Sequence, residues 1–234
     1  MKIFSLVFLL FLSACSGKWR YVEGASSKSW GDLDEKFKFC KIGYNQSPID
    51  VKLPFEINDD LKFSYQNSDV AKQREDYVLS FDFFSKDKNI LLRGKKKYFL
   101  RKFHFHHPSE HLIGSKPHSL ELQIYHKSED EQWLVLAIFL EVGQKNSEFQ
   151  KIVELISAKK SEGKIDLKNI VKSDDKIFYY DGSFTTPPCK EGVKWYVMKT
   201  PISISKEQMN AIIKGAIFTK SNAREVQEFH PEKF

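Results

Sequence analysis

The apolar positions along the chain fall mainly in short runs with a period of two. "YFLRKFHFH" (98–106) alternates aromatic and polar residues around a charged break, and "LELQIYH" (120–126) alternates as well. In an extended chain, residues i and i+2 share a face. On the second segment Glu121, Gln123 and Tyr125 therefore share one side, and Leu122, Ile124 and His126 the other. "WLVLAIFLEV" (133–142) is apolar almost throughout, which marks a strand buried on both faces. "KIFYYDGSF" (176–184) and "VKWYVMKT" (193–200) read as further strands. Two short helices are predicted from capping boxes: Ser147 with Gln150 before "KIVELI", and Ser205 with Gln208 before "MNAII". Strands dominate and the helices are peripheral. The pattern predicts a mainly β (α+β) single domain built on a large, mostly antiparallel central sheet.

The N-terminus breaks this pattern. In "MKIFSLVFLLFLSACSG", Lys2 precedes an apolar run from Ile3 to Leu12. The run is too short for a bilayer span, which needs about 20 residues, and suits a secretory signal. Its ending, "LSAC", resembles a bacterial lipobox with Cys15 as the lipidated first residue. The expectation is an exported, membrane-anchored lipoprotein facing the periplasm or the cell surface. Residues 1–14 would be the signal, 15–29 a tether and 30–234 the folded domain. With Cys15 lipidated, Cys40 and Cys189 remain, and one disulfide is the economical reading in an oxidising compartment.

Composition narrows the class further. At 234 residues, with 41% hydrophobic and 14% aromatic residues, the chain can build one domain with a full core and is not a disordered protein. The net charge of +6 is concentrated in "RGKKKYFLRK" (93–102), read as a solvated basic strand edge. No nucleic-acid motif accompanies it, and no nucleic-acid partner is expected.

The chemistry concentrates in "FHFHHPSEH" (103–111). His104 and His106 stand about 6.7 Å apart on one face of a strand and can grip one ion, with histidine the commonest side-chain metal ligand. His107 faces the other way, and Pro108 ends the strand. A catalytic zinc usually takes three protein ligands and a water, so a third donor is expected from the neighbouring "LELQIYH". His126 cannot join the face of Gln123 without a one-residue slip that would invert the whole strand.

These residues resemble the alpha-class carbonic anhydrases in their bacterial form. "WGDLDEKFKFCKIGYNQSPIDV" (30–51), "FHFHHPSEH", "FLEVG" (139–143), "DGSFTTPPCKEGVKW" (181–195) and "NAREVQ" (222–227) match in order over nearly the whole chain after the signal. The resemblance implies a twisted, mostly antiparallel sheet with zinc at the bottom of a conical cleft, and a Cys40–Cys189 bridge. It implies His104 and His106 as zinc ligands, Thr185 as the hydroxyl orienting the nucleophile, and Glu110 as the acceptor of its proton. Glu121 would support the third ligand. Val135, Phe184 and Trp195 would wall the carbon dioxide pocket, with Thr186 beside the bicarbonate. His111 would be a supporting residue, His118 lies in a turn and His230 at the surface.

Four departures from the family pattern matter. Where the family has E-x-H-x-x-H, this chain reads "ELQIYH", so Gln123 takes the third ligand position. Its amide oxygen can face zinc while its NH2 donates to Glu121, but an amide is a weaker ligand than imidazole. Tyr125 replaces a small apolar residue of the pocket. Lys102 replaces a glutamine that accepts from the first histidine, and lysine has no acceptor. The shuttle histidine is missing, and "KQREDYVLSF" (72–81) offers Glu75 or Asp76 instead. The resulting expectation is slow, zinc-dependent, reversible hydration of carbon dioxide to bicarbonate. The alternative is a catalytically silent lipoprotein of this type used for binding or adhesion. Oligomeric state is not legible.

Overall fold

The structure is a computed structural model, and it describes residues 19–21, 26–52, 54, 56–57, 61–75, 77–85 and 87–230. Cys15, the signal segment and Asp76 lie outside the described residues. The strands are β1 (Asp50–Val51), β2 (Glu56–Ile57), β3 (Leu61–Ser64), β4 (Ser68–Arg74), β5 (Leu79–Phe83), β6 (Ile90–Arg93) and β7 (Lys96–His106), followed by β8 (Leu112–Ile113), β9 (Leu120–Lys127), β10 (Trp133–Val142), β11 (Glu162–Ile165), β12 (Lys176–Ser183), β13 (Glu191–Met198) and β14 (Ile202–Ile204). The helices are α1 (Phe39–Ile42), α2 (Ser147–Ser157) and α3 (Lys206–Ala216). Twelve strands form one sheet with the order β11-β4-β5-β7-β9-β10-β13-β12-β2, to which β6, β3 and β14 attach. Most pairs are antiparallel, while β10 pairs with β13 and β14 in parallel.

The central strands divide their side chains between two cores. Leu122 and Ile124 of β9, with Leu134, Leu136 and Ile138 of β10, face a core closed by Phe149 and Ile152 of α2 and Met209 and Ile212 of α3. Tyr125, Val135, Ala137, Phe139 and Trp195 face the opposite core. "WLVLAIFLEV" is continuously apolar because β10 has apolar partners on both sides.

A register shift between Leu100 and Lys102 in β7 lets Leu100 and Phe103 share the helix-backed core, three residues apart. The extra residue is Arg101, and beyond it the alternation resumes, with Lys102, His104 and His106 on the cleft side.

Two expectations need correction. The basic run is not a sheet edge: β6 lies between β3 and β7, and β7 pairs with β5, β6 and β9. Its lysines cluster at a tight hairpin, where Gly94 takes φ 57° between Arg93 and Lys96. The cap of α2 is Asn146, whose side chain accepts from the N–H groups of Glu148 and Phe149, so Ser147 is already the first helical residue. The Ser205–Gln208 capping box of α3 forms as expected.

The Cys40–Cys189 disulfide joins α1 to the loop after β12 across 149 residues of sequence. In the chain-entropy picture, a loop of that size is worth about 5 kcal/mol at most. Of the expected tether, residues 19–21 and 26–29 are described. Trp19 and Tyr21 pack on Trp30 and Tyr77 with ring centroids 5.0–5.6 Å apart.

Candidate active site

β7, β9 and β10 bring the candidate residues together through their register. His104 pairs with Gln123, and His106 with Glu121; on the far side Gln123 pairs with Ala137 and Tyr125 with Val135. The result is a cleft of about 270 Å³ whose lining includes His104, His106, Lys102, Glu75, Tyr125 and Thr186. Aromatic rings surround it: Trp19, Tyr21, Tyr77, Trp133 and Phe184.

His104 and His106 face each other at 3.0 Å between their Nε2 atoms. His106 Nδ1 lies 2.7 Å from the Asn222 carbonyl oxygen, which can only accept, so Nδ1 carries a proton, and in the neutral ring Nε2 is the acceptor. With His106 in that form His104 donates from Nε2, and its Nδ1 is buried with no hydrogen-bond partner among the described residues. Burial, then the neighbouring His106 and Lys102, pushes the His104 pKa well below the ordinary value. Lys102 cannot accept from Nδ1, and its ammonium reaches instead to Glu75 at 2.5 Å.

Gln123 is bonded at every polar atom. Its NH2 donates to Glu110 at 2.8 Å and to Glu121 at 2.9 Å, and its carbonyl oxygen accepts from the Tyr125 hydroxyl at 2.6 Å. The Tyr125 oxygen also stands 3.5 Å from His104 Nε2. Burial, and next the Glu110 charge, raises the Tyr125 pKa well above the ordinary phenol value and keeps it protonated.

Behind this layer Glu121 accepts from the backbone N–H and from Nδ1 of His111, both at 2.8 Å, and His111 Nε2 meets the Tyr180 hydroxyl at 2.7 Å. Burial alone would raise the Glu121 pKa, but the charge and hydrogen bonds of His111 outweigh it and hold the carboxyl at about 2.

The remaining residues are placed as follows. Thr185 is buried, and Thr186 lines the cleft. The Glu110 oxygens are taken by the Arg224 N–H at 2.9 Å and by Gln123, and among the described residues no hydrogen bond joins Glu110 to Thr185. Val135 and Trp195 are fully buried, and Phe184 stacks parallel to Tyr125 at 6.4 Å. His107 donates to the Ser119 carbonyl, His118 meets Glu141, and His126 meets the Tyr65 hydroxyl on the far face. Asn222, Arg224, Trp133 and the Trp19–Tyr21 segment do not stand out from sequence reasoning alone. Asn222 and Arg224 sit in the "NAREVQ" motif, a signal with no chemistry attached. Trp133 is masked by the uniform apolarity of its strand.

The donor chemistry fits a dication. Two zinc-bound nitrogens in a tetrahedron stand about 3.3 Å apart, and the two imidazoles are already at 3.0 Å. Among the described residues no three His, Cys, Asp or Glu side chains converge on a metal position. Beside the two imidazoles stands the Tyr125 hydroxyl, 3.5 Å from His104 Nε2 and bonded to the Gln123 oxygen.

Comparisons with known proteins identify the family. The family described as eukaryotic-type carbonic anhydrase matches residues 25–232. The chain belongs to the alpha carbonic anhydrase family. It is 32% identical over 200 residues to a carbonic anhydrase of Neisseria gonorrhoeae, covering 81% of this chain and 77% of that one. It is equally 32% identical over 232 residues to dioscorin DB3L of Dioscorea polystachya, covering 92% and 83%. Among solved structures, the alpha carbonic anhydrase of Thermovibrio ammonificans with sulfanilamide superposes with a TM-score of 0.79 at 29% identity, covering 92% and 96%. Dioscorin complexed with ascorbate superposes at 0.81 and 27%, covering 91% and 94%.

Proposed function

We propose that this chain is a slow, zinc-dependent carbonic anhydrase, hydrating carbon dioxide reversibly to bicarbonate. The observation that carries the reading is the pair of facing imidazoles on the cleft floor, His104 and His106 at 3.0 Å, with His106 oriented by the Asn222 carbonyl. These two residues, with an oxygen from Gln123 or Tyr125, would hold the ion. Zinc bound there would supply a water acidic enough to give a nucleophile near neutral pH.

The protein's own residues set the pace. Phe184 and Trp133 offer carbon dioxide an apolar wall, while Val135 and Trp195, expected in that wall, are fully buried and are not among the residues that line the cleft; Thr186 lines the cleft where bicarbonate would leave. Tyr125 narrows that wall. Glu110 is bonded to Gln123, so Thr185 must capture it before it can orient a nucleophile. Glu75 is tied to Lys102 and must release it to move a proton. Each of these steps lowers turnover relative to a three-histidine site. For location, we propose export with a lipid anchor on Cys15, facing the periplasm or the cell surface.

A second reading, a silent binding or adhesion protein, is favoured by one observation: the Tyr125 ring is buried and its hydroxyl sits on the oxygen of the third ligand position. Stopped-flow carbon dioxide hydration with zinc titrated in separates the two. A zinc-dependent rate above buffer and free-zinc blanks, lost in His104→Ala, is expected. No rate with zinc shown to be bound would establish the silent reading.

A further inference from the structure

The zinc site has two candidate third donors, and their positions differ in a way that decides between them. Ligands at about 2.0–2.1 Å in a tetrahedron stand about 3.3 Å from one another. The Tyr125 oxygen is 3.5 Å from His104 Nε2, and the two imidazole nitrogens are 3.0 Å apart. Both separations bracket a tetrahedral edge. The Tyr125 and Gln123 oxygens are only 2.6 Å apart, too close for both to occupy tetrahedral corners.

The hydrogen bonds say which oxygen withdraws. Gln123 is pinned by its NH2 to two carboxylates, Glu110 and Glu121, which fixes its carbonyl toward the phenol proton. Turning the amide would set its oxygen against two buried acceptors and forfeit both bonds. The Tyr125 oxygen has a lone pair left when its proton rests on Gln123.

Resting on the zinc reading above, we propose that Tyr125 is itself a metal ligand. A dication in this cleft is held by His104, His106 and the phenolic oxygen of Tyr125, while Gln123 accepts the phenol proton and supports the ligand from behind. No proton need leave: the O–H bond to the Gln123 oxygen persists, and the phenol gives its free lone pair to the cation. The carbonyl acceptor makes that oxygen more basic, as outer partners do for metal-bound histidines. The retained Glu121–His111–Tyr180 relay then serves Gln123 as a positioning residue.

The test uses zinc competition against a chromophoric chelator, together with zinc-edge anomalous maps of wild-type crystals grown with zinc. With Tyr125 as ligand, Tyr125→Phe weakens zinc at least tenfold, and the map places zinc within about 2.2 Å of the Tyr125 oxygen. With Gln123 as ligand, Tyr125→Phe frees the amide oxygen, so affinity stays or rises and the metal sits on Gln123. That outcome overturns the proposal and leaves the zinc reading standing. If wild-type protein binds no zinc, or binds it undiminished in His104→Ala, both fall together. Should Tyr125→Phe fail to fold, the wild-type map alone decides.

Discussion

At the residue scale, Lys102 acts on His104 by what it cannot do. It leaves His104 Nδ1 buried and without a partner among the described residues, and for Nε2 to ligate a metal the ring's proton must sit on that same Nδ1. Lys102→Gln would supply the missing acceptor. Outer-sphere partners of this kind are worth about 10- to 100-fold in metal affinity, so the substitution should tighten zinc by that order in a competition titration. Losing the Lys102–Glu75 pair costs little, since both partners are partly exposed. An unchanged affinity would mean that His104 is oriented by some other means. This defect was legible from the sequence, because lysine has donors only. The bond from Tyr125 to Gln123 was not: strand alternation puts both side chains on one face without saying that they touch.

At the scale of elements, the faces of β9 were legible, since its alternation put Glu121, Gln123 and Tyr125 on one side and Leu122, Ile124 and His126 on the other, while its pairing register came only from the structure. β10 was legible as a strand but silent about its faces, because apolar residues cover both. The helix start at α2 was misplaced by one residue because asparagine and serine are both good caps and the sequence offers them side by side. A tight contact in β12 was also invisible. Gly182 lies so close to Ser47 that an added Cβ would stand 2.1 Å from its hydroxyl oxygen and 2.7 Å from the Tyr180 ring. That hydroxyl accepts from Tyr180 and from the Ser183 N–H. Gly182→Ala should therefore destabilise by about 1–3 kcal/mol, the usual cost of overpacking, and disturb the Tyr180–His111 contact. Chemical denaturation measures the first effect; a midpoint within error of wild type would show that the strand yields.

At the scale of the whole molecule, acid stability depends on a buried histidine on the helix-backed face. Burial holds His126 neutral, with a pKa of about 3 against an ordinary 6.5. Below pH 6.5 the unfolded chain takes up a proton that the folded chain refuses until about pH 3. The stability present above pH 6.5 is therefore lost as pH falls through that window, by on the order of 4 kcal/mol. Denaturant unfolding from pH 7 to pH 3 should show this slope, and His126→Asn should flatten it while lowering stability at pH 7. Parallel slopes in the two proteins would assign the acid sensitivity to other groups.

The two cores also differ in kind. The helix-backed core is built mainly from leucine, isoleucine, phenylalanine and tyrosine, with some valine and methionine, and among the described residues it contains no tryptophan. All four tryptophans of the chain gather on the cleft side. Trp19 and Trp133 line the cleft, Trp30 sits edge-on to Trp19, and Trp195 packs 4.8 Å from the His111 ring. The protein thus carries its own optical reporter, segregated to one half of the sheet. Its intrinsic fluorescence registers what happens around His104 and Tyr125, and is nearly blind to motions of the helices behind.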